Sequence, residues 1–147
     1  MRLVPLVFAG LVSFVGCGSK SGGDGPPTPD AGELFVTDVV VSAAQCNGSI
    51  TLRAVVANDS PFGADVNVAF YHSTSNVLIG VVREVEIPPS DAEPPFAHVE
   101  IVWNNPTPNA ALITVVADDD GTGQGSIREV IETDNAFSTT LTTCPAP

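Results

Sequence analysis

Between Leu34 and Thr143 the apolar residues recur at every second position, not every third or fourth. Ile50, Leu52, Ala54 and Val56 alternate with Thr51 and Arg53, and Val66, Val68 and Phe70 alternate with Asn67 and Tyr71. Val85 and Ile87 interleave with Glu84 and Glu86. Val99, Ile101 and Trp103 do so with His98 and Glu100, and Phe137, Thr139 and Leu141 with Ser138, Thr140 and Thr142. Successive side chains of a strand point to opposite faces, so this period specifies strands with one buried and one wet face. Leu112–Ala117 is apolar on both faces and is the expected central strand. Turn chemistry separates the runs at Asn47-Gly48, Asn58-Asp59-Ser60-Pro61, Pro88-Pro89-Ser90, Asn104-Asn105-Pro106 and Gly121–Gly125. No stretch reads as a capped amphipathic helix.

About seven strands over residues 34–147, with breaks at near-regular spacing, predict an all-β chain. The expected architecture is an immunoglobulin-like antiparallel β-sandwich. Composition narrows its role. With 17 Asp+Glu against 5 Lys+Arg the formal charge is -12, which excludes the basic surface a nucleic-acid binder needs to displace counterions. The same charge disfavours electrostatic adsorption to anionic lipid.

Residues 1–16, MRLVPLVFAGLVSFVG, place one cation at Arg2 before an apolar run from Leu3 to Val15. The run is shorter than the roughly 20 residues of a spanning helix. A charged start, a short apolar centre and small residues at the end form a secretory signal peptide. Phe14-Val15-Gly16-Cys17 resembles the lipobox of bacterial lipoproteins, although Phe14 stands where Leu is usual. That resemblance implies cleavage before Cys17, lipidation of its sulfur and acylation of the new amino terminus, giving a lipid anchor in the membrane. Gly18 follows the cysteine instead of an inner-membrane retention Asp, so the resemblance implies the outer membrane or cell surface. The alternative is a secreted protein with a free Cys17. Residues 17–33 continue as a Gly- and Pro-rich tether without apolar periodicity, spanning roughly 20 Å as a flexible coil.

Cys46 falls between the first two strands and Cys144 just past the last. In an immunoglobulin-like sandwich the first strand can run parallel to the last, which brings both to one end. A Cys46–Cys144 disulfide then suits both the fold and an oxidising compartment, and two free thiols are the alternative.

Several segments resemble the cell-adhesion-related domain found in bacteria, CARDB. They are Val55-Val56-Ala57-Asn58, Val66–Tyr71, Val115-Val116-Ala117-Asp118 and Glu129-Val130-Ile131-Glu132-Thr133-Asp134-Asn135. Ala136 replaces the second Asn of the family pattern. The resemblance implies an immunoglobulin-like extracellular module acting in adhesion or assembly, and no enzyme.

The sharpest polar cluster is Asp118, Asp119 and Asp120 in a Gly-rich loop, followed by Glu129, Glu132 and Asp134. Hard oxygen ligands gathered in such a loop suit Ca²⁺, and a hairpin would make the carboxylates converge. The spacing is not that of an EF-hand, and a solvated acidic turn capping its own N–H groups is the other reading. His72 and His98 lack partners spaced for zinc or a catalytic triad. Trp103 lies on the inward register as an expected core anchor, and Tyr71 faces outward.

The leading expectation is therefore a non-enzymatic lipoprotein of the bacterial cell envelope, binding a protein or glycan partner through strand edges or end loops. A calcium-dependent surface or matrix module using Asp118–Gly125 is the second reading, and an accessory domain of a secreted enzyme system the third.

Overall fold

The computed structural model describes residues 33–45, 48–127 and 134–144. The signal segment, Cys17, the tether, Cys46, Glu129 and Glu132 lie outside the described residues. Among the described residues there is no helix long and apolar enough to cross a membrane.

The described residues form seven strands: β1 (Leu34–Gln45), β2 (Ser49–Asn58), β3 (Ala64–His72), β4 (Val77–Ile87), β5 (Phe96–Asn104), β6 (Ala110–Ala117) and β7 (Ala136–Thr142). They form a three-stranded sheet, β1-β2-β5, and a four-stranded sheet, β4-β3-β6-β7. Every pairing is antiparallel. Two such sheets can bury their apolar faces only against each other, and the result is the expected sandwich. Its core takes Ile50, Leu52, Ala54 and Val56 from β2, Val66, Val68 and Phe70 from β3, and Ala111, Ile113, Val115 and Ala117 from β6. Phe70 is the largest side chain with no exposure at all.

The layers meet along both margins, with β1 beside β7 and β4 beside β5. Along the second margin the backbones come close. A Cβ added at Gly80 on β4 would stand 2.6 Å from Ile101 Cδ1 on β5, so the absent side chain is what admits Ile101.

Two departures from simple alternation matter. β6 is interior to its sheet, as its composition predicts, yet its outward Leu112 is 39% exposed because no third layer covers that face. On β4 the register slips opposite Asn67, between the Val66 and Val68 pairings. Glu84 adopts φ 53° there, its N–H donating to Asn67 Oδ1 at 3.3 Å. This bulge re-aims the strand while Val85 packs on the core and Ile87 stays buried.

Candidate functional site

The acidic loop begins where β6 ends. Asp118 takes a left-handed φ of 54° and turns the chain out of the sheet. Its buried carboxylate then ties down the far side of the loop. Ser126 N–H and Ile127 N–H donate to Oδ2 at 2.8 and 2.6 Å, and Ser126 Oγ–H donates to Oδ1 at 2.9 Å. Asp119 is buried too: its Oδ1 accepts from Gly121 N–H at 2.7 Å and Gly123 N–H at 3.0 Å, while Oδ2 accepts from Tyr71 Oη–H at 2.7 Å. Asp120 Oδ1 accepts from the N–H and hydroxyl of Thr122 at 2.8 and 2.6 Å. The Thr122 hydroxyl, followed by the Thr122 N–H, holds the Asp120 carboxyl below the usual carboxylate range.

The three aspartates of the candidate calcium set thus serve as acceptors for the loop's own donors. Among the described residues, no group of three or more His, Cys, Asp or Glu side chains is placed to hold a metal ion. Among the described residues, Asp118, Asp119 and Asp120 are each turned toward a different set of N–H and O–H groups. Asp134 is exposed at the start of the chain segment entering β7. Asn135 beside it is buried, its carbonyl accepting Ala117 N–H at 2.9 Å. Its Oδ1 has no partner among the described residues.

The loop folds back along the outer face of the four-stranded sheet. Gly121, at φ 92°, sits where a Cβ would strike Val81 Cγ2 at 2.8 Å and Leu78 Cδ2 at 3.0 Å, so glycine is required for the loop to lie against β4. With the turn after β3 it frames a cavity of about 540 Å³ lined by Tyr71, Ser73, Asn76, Thr114 and Asp119. Hydroxyls run across its floor, Ser73 Oγ to Thr114 Oγ1 at 2.6 Å and Thr114 Oγ1 to Ser138 Oγ at 2.7 Å. Tyr71, outward as its register predicts, meets Asp119 over this face.

Burial, then the hydrogen bond to Asp119 and the charges of Asp119 and Asp120, push the Tyr71 phenol up to about 12 from its ordinary 10.0. Tyr71 is the sole tyrosine, so its phenolate absorbance reads this directly. The titration midpoint is expected near 12 in the folded protein and near 10 once it is unfolded. Because the folded pKa is the higher one, Tyr71's contribution to stability is complete below about 10 and disappears as pH rises through about 12. Asp119→Asn should return the midpoint toward 10; a wild-type midpoint already at 10 would mean that the Tyr71–Asp119 bond does not form.

A second cavity, of about 380 Å³, opens where the start of β4 faces the end of β5. Its walls carry His72 and Trp103, whose ring centroids are 5.4 Å apart with planes tilted by 41°. Trp103 packs on the core as expected, but only in part, since β5 is an edge strand and one flank of the indole borders the cavity. The alternation locates Trp103 on the inward register; that this position lies at the open margin follows only from the strand order. His98, by contrast, is exposed and meets the edge of Phe96.

At the same end, Asn105 N–H donates to Gly48 C=O at 2.7 Å, Asn109 N–H to Cys144 C=O at 2.8 Å and Thr143 N–H to Asn109 C=O at 3.1 Å. The β1–β2 turn and the residues after β7 therefore converge on the β5–β6 loop. Cys144 is half-buried against the core there.

No family model matches the sequence, and no curated protein matches it. A structural match is the CARDB domain of a Pyrococcus furiosus protein, solved in complex with di-metal ions. The TM-score is 0.56 at 15% identity, covering 81% of this chain and 99% of that one.

Proposed function

From this CARDB-like fold we propose a lipid-anchored, non-enzymatic adhesion or interaction module of the bacterial cell envelope. The observation that carries the reading is the whole-domain likeness to a CARDB sandwich. The sequence adds the envelope address, with a signal peptide ending at a lipobox and Cys17 as the lipidated residue. The folded domain would then stand off the outer membrane on the residue 17–33 tether, with the Cys46–Cys144 disulfide closing it.

Metabolic labelling with an alkyne fatty acid tests the anchor. The native chain is expected to carry label and to sediment with membranes, whereas Cys17→Ser should be unlabelled and soluble. An unlabelled, soluble native chain overturns the anchor. Retention of whole cells or envelope fragments on beads coated with the protein tests the binding role, and retention no greater than on bare beads overturns it.

A calcium-dependent form of the same role is the second reading, favoured by the di-metal complex of the Pyrococcus furiosus domain. It uses the acidic loop at Asp118–Gly125, with Asp118, Asp119, Asp120, Glu129, Glu132 and Asp134 as the candidate ligands.

A further inference from the structure

We infer that the cavity between the start of β4 and the end of β5 is a binding site for a neutral carbohydrate. The inference rests on the binding-module reading and specifies the ligand class. At about 380 Å³ the cavity lies within the roughly 300–1,000 Å³ of small-ligand sites. Among the described residues none of its lining side chains is Asp, Glu, Lys or Arg, although the chain as a whole carries a charge of -12. A charged ligand would find no counter-charge in this cavity. Its lining combines an indole and an imidazole with amides and hydroxyls, the chemistry that meets a pyranose on both its C–H face and its hydroxyl rim.

The geometry is fixed before any ligand arrives. His72 Nδ1 lies 2.6 Å from Ser75 Oγ and Nε2 lies 3.4 Å from Thr107 Oγ1, so both ring nitrogens are engaged and the imidazole holds its place beside Trp103. Asn105 takes φ 52° with its N–H bonded to Gly48 C=O at 2.7 Å, which sets the direction of the chain at the rim. The side chains of Asn104 and Asn105 are exposed at that rim and held by no hydrogen bond to a described residue. They are free to exchange water for sugar hydroxyls at little ordering cost. Val77 and Val102, 54% and 56% exposed, extend the apolar margin on either side of the opening.

The chain has a single tryptophan, so its emission reports on this cavity alone. The full-length protein, held in a polyoxyethylene detergent that carries no sugar, is titrated to millimolar concentration with neutral gluco-, manno-, xylo- and chito-oligosaccharides. The expected result is a saturable change in Trp103 emission with at least one of them. The paired Asn104→Ala, Asn105→Gly variant, in which glycine tolerates the φ of 52° at position 105, should lose about tenfold in affinity with an unchanged melting temperature. These amides are exposed, so the pair keeps the test valid even if Trp103→Ala fails to fold. No saturable change with any oligosaccharide overturns the site, as does unaltered affinity in the amide pair.

Retention of envelope material is measured alongside. Retention that free oligosaccharides do not compete overturns the carbohydrate site while the binding-module reading stands, and points to a protein on the β5 edge. Saturable sugar binding without retention supports the site and overturns the adhesion role.

Discussion

Breaking the proposed Cys46–Cys144 disulfide is expected to lower the unfolding free energy by about 4–5 kcal/mol, the chain-entropy value for a loop on the order of 100 residues. The melting temperature should fall by roughly 20 °C, whether the link is removed by Cys144→Ser or by reduction and alkylation before the melt. The size of the effect comes from the topology. The β1–β2 turn is tied to the β5–β6 loop through Gly48 and Asn105, and the residues after β7 are tied to the same loop through Asn109, Thr143 and Cys144. Thr143 Oγ1–H also donates to the carbonyl of Thr107 in that loop. The proposed disulfide would join the two ends of the domain and fasten β7, an edge strand with pairing on one side only among the described residues. A melting temperature indifferent to reductant would show that the thiols are free.

Asp118→Ala should cost about 2–3 kcal/mol, shifting the melt by roughly 10 °C. The carboxylate accepts three hydrogen bonds across eight to nine residues of sequence, and bonds to a charged acceptor are stronger than neutral ones. Alanine leaves Ser126 N–H and Ile127 N–H without that acceptor and frees Ile127, which packs against the core. It also forces a residue with no local acceptor to hold φ 54°. Asp118→Asn keeps an acceptor oxygen and the tolerance for this φ, so it should lose distinctly less. A loss equal to that of alanine would show that charge, and not local bonding, matters most. Running both melts in EDTA and again in millimolar calcium settles the second functional reading. A ligand at 100 times its dissociation constant adds about 2.7 kcal/mol, and a native melt unmoved by calcium leaves the aspartates as loop anchors only.

The alternation in β2, β3, β5 and β7 was legible because a strand's period of two is local and each buried face is written in alternate residues of one short segment. Ile50, Leu52, Val68 and Phe70 all lie where that period places them, with exposures of 0–1%. The acidic loop was legible as a cluster but not as a set of bonds. Its residues are neighbours in sequence, yet Asp119 also takes a donor from Tyr71, 48 residues away. The bulge at Glu84 was invisible, since its cause is Asn67 on the paired strand.

The cavity at Trp103 lay furthest from view. Its walls come from the end of β3, the start of β4 and the end of β5, and no local pattern records that β4 and β5 are the facing edges of two sheets. Sequence alone determined the strand class, the approximate number of strands and most of the inward residues, because these depend on side-chain period and composition. Which strands form the margins, that Asp119 meets Tyr71, and where an indole borders a cavity were decided by tertiary structure, because those contacts join residues that are distant along the chain.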